Sequence, residues 1–338
     1  MTAAASPMPV IEMREAGAPD VLTLVERPAP QPAAGELVIA VAAAGVNGPD
    51  IMQRRGLYPP PPGASDLLGL EVSGHVAAVG EGVTRWAVGD PVCALTNGGG
   101  YAAQVAVLAD HCLPIPTGVA LVDAAGLPET YFTVWSNLFM PPPRDGNAHG
   151  VGPGMTVLIH GGAGGIGSTA IQLSKAFGAT VVATESPAER CQFCTDLGAD
   201  RVVDFRSDDF VAAVRDLGGA DVILDIIGGD NVEKNFKAAR HDARIVQLAF
   251  NGGAKVTANL MPIMLKRLLL TGSTLRSRPD AFKTAVARAL ESHVWPKFAT
   301  GALRSVVSAR MPLSQAADAH ALMESATHTG KILLTVDP

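Results

Sequence analysis

The sequence is poor in cysteine and aromatic residues and has no long apolar run. Its 338 residues contain four cysteines, too few for a disulfide framework in a chain of this length. No apolar run reaches the roughly 18 residues that a membrane-spanning helix needs. Residues 1–7 lack a charged segment followed by an apolar one, so we expect no signal peptide. These absences together favour a cytoplasmic location.

Clusters of basic charge are also missing. The 26 lysines and arginines are outnumbered by 32 acidic residues, and the net charge is −6. Nucleic-acid binding typically requires a basic patch, so we expect no nucleic-acid partner. Aromatic residues make up 5% of the chain, whereas glycine occurs 36 times. That balance is typical of α/β units joined by many tight turns.

The most informative stretch is a glycine-rich segment at residues 156–173. An apolar run, Val157–Ile159, ends in glycines that lead directly into a helical pattern. The segment fits G-x-G-x-x-G in its strand–turn–helix context. In that motif the first glycine permits a tight turn, the second lets a pyrophosphate approach, and the third lets helix and strand pack closely. We therefore predict a dinucleotide site formed by Gly162, Ala163, Gly164, Gly165, Ile166 and Gly167.

An acidic residue follows this loop at the expected distance. The next predicted strand, Thr180–Thr184, ends at Glu185, which lies 18 residues after Gly167. The acid that holds the ribose hydroxyls is expected about 20 residues on. A carboxylate there accepts both ribose hydroxyls of NADH and repels the 2′-phosphate of NADPH. Glu185 therefore favours NADH, and we assign its neighbour Ser186 to the same cofactor site.

The chain has the length of two domains. Residues 8–116 contain short strands and frequent turns, typical of a partly open β-barrel. Later strands alternate with helices, as in a doubly wound parallel sheet. The predicted strands are 156–161, 180–185, 201–205, 221–227, 243–249 and 268–274, and the predicted helices are 165–177, 187–197, 208–216 and 231–240. We predict an α/β fold in which residues 131–275 are inserted into a discontinuous domain of residues 1–130 and 276–338.

Several motifs in a fixed order resemble those of a known family. They are residues 43–50 (AAGVNGPD), 69–74 (GLEVSG), 88–92 (VGDPV), 127–130 (LPET) and 162–167 (GAGGIG). Together they resemble the quinone oxidoreductase (zeta-crystallin-like) branch of the medium-chain dehydrogenase/reductase superfamily, from about residue 10 to Thr335. The resemblance implies a GroES-like catalytic domain with an inserted Rossmann domain, NADPH as cofactor, and reduction of quinones or α,β-unsaturated carbonyls.

The resemblance also implies a homodimer or a homotetramer. Its members pair the last Rossmann strand, here Leu268–Thr274, across subunits. An apolar edge strand needs to be covered, which favours a homodimer on physical grounds as well.

The zinc ligands of related dehydrogenases are absent. By resemblance, their first metal cysteine falls at Asn47, their histidine at Leu70 and their second cysteine around Pro128–Glu129. Asn and Leu cannot supply the thiolate and imidazole of a catalytic zinc site. The region that carries four structural zinc cysteines in those relatives contains only Cys93. We therefore predict a zinc-independent enzyme.

Without a metal, the hydride must go to an electrophile that is already activated, such as a quinone or an enone. The cofactor supplies the hydride and the protein supplies orientation. The candidate catalytic residues are Tyr58, Asn47 and Asp50. By resemblance, Tyr58 and Asn47 also contact the cofactor, and Tyr58 either hydrogen-bonds or protonates the substrate oxygen or only packs against the nicotinamide. Asp50 is interpreted as a local cap or an orienter of Asn47 more readily than as a base.

The resemblance implies further cofactor contacts at Thr133, Phe250, Leu275 and Arg278. Arg190 stands where the family often has a lysine for the 2′-phosphate, so it favours NADPH and opposes Glu185. The cofactor is therefore NADPH or NADH. The loop at residues 140–153 is longer than is usual in the family.

Two other functions remain open. One is an enoyl or enone reductase for a carrier-linked substrate, which should need a basic groove that the sequence does not indicate. The other is a non-catalytic NAD(P)H-binding structural or sensor protein, a use that zeta-crystallins make of this fold. An Asn47/Tyr58 pair beside a complete glycine loop favours the enzyme.

Overall fold

The structure is a computed structural model that describes residues 6–140 and 150–336. It divides the chain into two compact units. The first unit contains the residues up to Phe132 and those from Arg276 onward, and the second unit is Thr133–Leu275. Of the long loop predicted at residues 140–153, residues 141–149 lie outside the described residues.

The elements are numbered in chain order. The strands are β1 Pro7–Met13, β2 Leu22–Pro28, β3 Glu36–Gly45, β4 Glu71–Val79, β5 Pro91–Leu95, β6 Gln104–Leu108, β7 Cys112–Pro114, β8 Thr156–His160, β9 Thr180–Glu185, β10 Arg201–Asp204, β11 Ala220–Asp225, β12 Ala239–Gln247, β13 Leu269–Gly272, β14 Val307–Pro312 and β15 Lys331–Thr335. The α-helices are α1 Gly48–Arg54, α2 Pro128–Val134, α3 Gly165–Ala176, α4 Ala188–Asp196, α5 Phe210–Arg215, α6 Asn231–Ala238, α7 Met261–Leu265, α8 Asp280–Ala289, α9 Trp295–Ala299 and α10 Ala316–Glu324. Short 3₁₀ turns and two π-helical segments, Trp135–Phe139 and Leu290–Val294, complete the described elements.

The first unit is built on a mainly antiparallel sheet. Its strand order is β14-β15-β3-β4-β5-β7, with β6 also paired to β3. Strand β15 pairs antiparallel with β3 and parallel with β14, so the C-terminal part of the chain completes the sheet that the N-terminal part begins. The core packs apolar side chains of these strands, among them Leu37, Ile39, Val72, Val76 and Leu334.

The second unit contains a six-stranded sheet in the order β10-β9-β8-β11-β12-β13, and every pair is parallel. All five residues of β8 are buried, as expected for a central strand covered on both faces. The strand order reverses beside β8, and ligands of doubly wound sheets bind at the carboxyl ends of the strands at such a point. The loop that follows β8 is the glycine-rich segment, so the topology places it at this position.

The predicted fold class is confirmed. Observed and predicted elements of the second unit coincide within a few residues, with the largest difference at β12, which starts at Ala239. In residues 6–140 and 150–336, no helix has the length and apolarity that crossing a bilayer requires.

Candidate functional site

The glycine loop of the second unit joins β8 to α3. Its left-handed residue is Gly161, with φ of +70°, so the tight turn assigned to Gly162 is made one residue earlier. Gly162 is confined for another reason, because an added Cβ would lie 2.7 Å from the Sγ of Cys194. At Gly167 an added Cβ would lie 2.1 Å from the carbonyl oxygen of Gly161, so α3 packs directly on the loop.

Gly164 differs from these glycines because packing within the protein leaves room for a side chain at this position. An added Cβ would meet only the carbonyl oxygen of Gly161, at an ordinary 3.7 Å. Gly164 has extended backbone angles and precedes α3, whose first amide groups have no acceptor within the helix. A close backbone approach by a ligand is the remaining reason for glycine here, and a pyrophosphate suits the positive end of a helix.

Glu185 and Arg190, which sequence reasoning set against each other, form an ion pair. Arg190 Nε lies 3.2 Å from Glu185 Oε1, and its Nη2 lies 3.3 Å from Oε2. The same carboxylate accepts hydrogen bonds from the backbone N–H groups of Ala163 at 2.8 Å and Ser186 at 3.0 Å. The buried Glu185 side chain therefore links the end of β9 to the glycine loop and holds Arg190 beside both.

An unpartnered hydroxyl lies next to this ion pair. The side chain of Ser186 is buried, and its Oγ has no hydrogen-bond partner among the described residues. A buried hydroxyl without a partner is unfavourable unless a ligand supplies one. Together with the glycine loop, it makes the end of β9 fit the adenosine ribose of a dinucleotide.

Below the loop, a hydrogen-bonded network joins the carboxyl ends of three strands. His160 contacts Thr184 Oγ1 at 2.9 Å through Nδ1 and Asn235 Oδ1 at 2.8 Å through Nε2. Asn235 Nδ2 donates to Asp225 Oδ2, so Asn235 Oδ1 must accept and His160 carries its proton on Nε2. Burial lowers the pKa of His160, which keeps this imidazole neutral. The network supports the loop from within the core.

The other second-unit residues predicted to bind cofactor are more scattered. Thr133 is buried in α2, whereas the Phe250 side chain is about half exposed after β12. The Phe250 ring covers Gly228, where an added Cβ would lie 2.6 Å from it. Leu275 ends the second unit and is partly buried. Their cofactor contacts stay predictions.

In the first unit, Asn47 belongs to a buried charged network. Its Nδ2 donates to Glu71 Oε1 at 2.9 Å and to the carbonyl oxygen of Gly45 at 3.3 Å, while its Oδ1 accepts from Lys331 Nζ. Lys331 Nζ also lies 2.7 Å from Glu71 Oε1 and donates to the carbonyl oxygen of Val46. Sequence reasoning missed Lys331, because it starts an ordinary-looking apolar strand near the end of the chain.

Asp50 closes the first turn of α1 beside this network. Its carboxylate accepts from the backbone N–H groups of Asn47 at 2.9 Å and Gly69 at 3.0 Å. The Tyr101 hydroxyl donates a third, longer hydrogen bond at 3.4 Å. Burial raises the pKa of Asp50 to about 6, although these hydrogen bonds and Lys331 oppose the shift. Asp50 therefore contacts the backbone at the start of α1, and its role toward a substrate stays a prediction.

A buried histidine fixes the direction of hydrogen bonding toward Asp50. Arg54 Nη1 lies 3.3 Å from His320 Nδ1, and the Tyr101 hydroxyl lies 3.1 Å from His320 Nε2. Arginine can only donate, so Nδ1 accepts and Nε2 carries the proton. Burial lowers the pKa of His320 to about 3, with Arg54 adding to the effect. His320 therefore donates to Tyr101, which in turn donates to Asp50.

Tyr58 is half-buried in the loop after α1 and lies beside an arginine. Arg276 Cζ is 5.8 Å from the centre of the Tyr58 ring, within range of a cation–π contact. Arg276 is buried and held by Gln53 Oε1 at 2.6 Å and by the carbonyl oxygen of Asn97. Burial raises the pKa of Tyr58, and Arg276 opposes that shift. The neighbouring Arg278, which we predicted to bind cofactor, is exposed and stacks at 3.8 Å on Phe282.

The first unit does not fit a catalytic zinc ion around Asn47. The ammonium group of Lys331 already contacts Asn47 and Glu71, and a metal cation there would be repelled by it. In the part of the chain that the structure describes, no group of three or more His, Cys, Asp or Glu side chains is placed to hold a metal ion. Independence from zinc stays a prediction from the ligand types.

Comparisons with known proteins match both parts of the chain. The family model of the alcohol dehydrogenase GroES-like domain matches residues 33–117, and that of the zinc-binding dehydrogenases matches residues 165–291. The solved structure of a mycobacterial quinone oxidoreductase is 30% identical, with a TM-score of 0.81 over 97% of this chain and 99% of its own. Escherichia coli quinone oxidoreductase, solved in complex with NADPH, is 27% identical with a TM-score of 0.83 over 97% and 99%.

A much larger relative is also similar. A phenolphthiocerol/phthiocerol polyketide synthase of Mycobacterium tuberculosis is 28% identical over 337 residues, which cover 96% of this chain. The chain spans only 15% of the length of that synthase. The match therefore concerns one segment of a much longer protein.

Two substitutions should show which glycine is needed for ligand binding and which for packing within the protein. We expect Gly164→Ala to leave the melting temperature almost unchanged and to weaken NAD(P)H binding, because its Cβ has room in the protein. Gly167→Ala should lower the stability by about 1–3 kcal/mol, because its Cβ overlaps the Gly161 carbonyl. Thermal unfolding measures the stability of each variant, and a fluorescence titration with NADH and NADPH measures its cofactor affinity. Unaltered binding by Gly164→Ala would argue against a pyrophosphate at this loop.

Proposed function

This chain belongs to the quinone oxidoreductase branch of the medium-chain dehydrogenase/reductase superfamily, and on that basis we propose that it is a zinc-independent NAD(P)H-dependent quinone oxidoreductase. The observation that carries the proposal is the buried contact of Lys331 with Asn47 and Glu71. An ammonium whose N–H groups are all donated inside the protein has none left to polarise a substrate carbonyl. This supports a substrate that is already activated, as quinones and enones are.

We assign the candidate residues of the first unit either to contact with the substrate or to positioning of other groups. A bound dihydronicotinamide supplies the hydride. Tyr58 has no hydrogen-bond partner for its hydroxyl within the described residues, so it is available to a substrate oxygen. Both N–H groups of the Asn47 amide are donated inside the protein, so we assign it a positioning role. Asp50 holds the backbone of Asn47 and Gly69 in place.

The proposed activity is tested by following NADH and NADPH oxidation with a small naphthoquinone in the presence of a chelator. We expect turnover that the chelator does not reduce, because no step needs a metal. Loss of activity with the chelator, restored by Zn²⁺, would contradict independence from zinc. Tight cofactor binding without turnover on any quinone or enone would favour a structural or sensor protein.

The enoyl reductase of a carrier-linked substrate is the second candidate, and the similarity of the chain to an enoyl reductase of known structure, at 25% identity and a TM-score of 0.84, favours it. Both reactions deliver a hydride to an electron-poor unsaturated system, so the same residues serve either. The substrate panel therefore includes an α,β-unsaturated thioester. A kcat/KM for the thioester well above that for every quinone would replace the first proposal with the second.

We further propose that NADH is the preferred cofactor. A carboxylate offers about four acceptor positions, and Glu185 uses them on two backbone N–H groups and on Arg190. Because Arg190 is neutralised by this pair, a 2′-phosphate would meet a buried carboxylate without a fully available positive charge. The ribose hydroxyls of NADH need only to exchange with the longer Arg190 contacts.

Removing the Glu185 charge should reverse this preference. In Glu185→Ser, Arg190 is released toward the phosphate, and we expect the ratio of kcat/KM for NADPH over NADH to rise on the order of 10²-fold. Glu185→Gln is the matched control for the loop, since its amide oxygen still accepts from the Ala163 N–H. It should shift the ratio in the same direction with less loss of cofactor affinity. An unchanged ratio in both variants would show that Glu185 does not set the choice.

We also propose that the chain forms a homodimer through β13, because an apolar edge strand needs to be covered. Strand β13 ends the described sheet, and apolar side chains near it are exposed, including Leu270 at 46% and Met264 at 70%. An open apolar edge favours pairing with another copy of the chain. The proposed partner is a second copy related by two-fold symmetry.

A charge on this edge should separate the two copies. We expect Leu270→Lys to shift the mass measured by light scattering from dimer to monomer, because a lysine would oppose its own symmetry mate. Leu217→Lys is the control, since Leu217 is similarly exposed at 40% in the same unit but lies outside β13. A monomeric wild type, or a dimer that survives the Leu270 change, would contradict assembly through this strand.

A further inference from the structure

The proposed reaction leaves one proton to be supplied. Hydride transfer gives a quinone two electrons and one hydrogen, and the product is a hydroquinone monoanion. A general acid that completes it typically accelerates such a step by about 10²–10⁴-fold. The question for the first unit is which polar group still has a proton to give.

The side chains of Asn47 and Lys331 have no N–H group that is still available to a substrate. The two amide hydrogens of Asn47 go to the Gly45 carbonyl and to Glu71. The three ammonium hydrogens of Lys331 go to the Val46 carbonyl, to Asn47 Oδ1 and to Glu71 Oε1. Every donor of this pair is used inside the protein.

Two of the neighbouring carboxylates are committed as acceptors. Asp50 receives hydrogen bonds on both oxygens, from Gly69 on Oδ1 and from Asn47 and Tyr101 on Oδ2. Glu71 receives them from Asn47 and Lys331 on Oε1 and from the backbone N–H of Glu129 on Oε2 at 2.8 Å. The oxygens of both carboxylates therefore already accept hydrogen bonds from donors inside the protein.

Glu129 differs from both. It lies in the first turn of α2 and is 9% exposed, yet its carboxyl has no hydrogen-bond or ion-pair partner among the described residues. The charged groups that face it are Lys331 from β15, Glu71 from β4 and Asp50 from α1. It also acts on Tyr58, whose pKa it raises, so the two side chains lie within electrostatic range.

This environment raises the pKa of Glu129. Burial raises its pKa to about 7, Glu71 and Asp50 add to the shift, and Lys331 opposes it. The group is therefore largely protonated below neutral pH and can lose its proton at a pH where enzymes work. Of the side chains in this network, only Glu129 and Tyr58 retain a hydrogen that no acceptor in the described part of the protein takes.

We propose that Glu129 is the proton donor that completes reduction of the substrate beside Tyr58. This inference rests on the proposed oxidoreductase function. The Glu129 O–H bond breaks as the O–H bond of the reduced substrate forms, and solvent later returns a proton to the carboxylate. The net reaction converts NAD(P)H, quinone and one proton into NAD(P)⁺ and hydroquinone.

The first test is a pH profile. Since the acid form is the active one, wild-type kcat/KM should fall as pH rises above about 7, the pKa of Glu129. Glu129→Gln should lower kcat on the order of 10²-fold and lose this alkaline limb. Glu129→Asp should restore part of both. Glu291→Gln is the control, because that carboxylate pairs with Arg85 on another part of the first unit.

A second readout does not depend on turnover. The carboxyl stretching band of protonated Glu129 should appear in infrared spectra of the protein without cofactor, titrate near neutral pH and be missing in Glu129→Gln. The Gln variant should fold normally, because the backbone N–H that binds Glu71 is retained. Circular dichroism and thermal unfolding check this.

The outcomes separate the two proposals. A band that titrates near neutral pH, together with the loss of the alkaline limb, supports Glu129 as the donor. A carboxyl that is ionised throughout, or a Gln variant with wild-type kcat and pH profile, overturns it while the oxidoreductase function stands. A wild type that reduces no quinone or enone overturns the function, and the donor role fails with it.

Discussion

The ammonium group of Lys331 holds the first-unit site together. A buried ion pair costs desolvation energy and is tolerated only when each partner is fully hydrogen-bonded. Lys331 meets that condition with three acceptors, and Glu71 meets it with a backbone N–H in addition to its side-chain donors. The contact joins β15, the end of the described chain, to β4 and to the start of α1. The return of the chain to its first sheet is therefore a requirement of the site as well as of the fold.

In the second unit, the carboxylate of Glu185 links several elements, as the ammonium group of Lys331 does in the first unit. Glu185 fixes the glycine loop through Ala163, the strand end through Ser186 and the nearby guanidinium of Arg190. A residue with these contacts cannot be changed for cofactor preference alone, because the loop responds as well. This explains why a local interpretation of Glu185 and Arg190 gave opposing answers. The two side chains act as a pair.

Much of the fold was accessible from the sequence because its signals are local. Alternating strands and helices predicted the parallel sheet, and the glycine loop marked where its order reverses. The turn itself was misplaced by one residue, since only backbone angles distinguish Gly161 from Gly162. Lys331 and Arg276 were missed as parts of the first-unit site because their burial depends on contacts far along the chain. Lys331 reaches Asn47 from 284 positions away, and Arg276 reaches Gln53 from 223.

Charge balance in the first unit helps to explain two raised pKa values that no single motif indicates. One ammonium, Lys331, faces the carboxyls of Glu71, Asp50 and Glu129, each contributed by a different element. Glu71 takes the direct ion pair, and Asp50 is held by backbone amides. Ionising Glu129 as well would place a third negative charge beside a single positive one in a buried setting, where repulsion is weakly screened. Asp50, which accepts several hydrogen bonds, has a pKa of about 6, and Glu129, whose carboxyl accepts none from the described residues, has the higher pKa of about 7. The carboxyl that the described part of the protein leaves without a hydrogen-bond donor is the one whose pKa is the higher of the two.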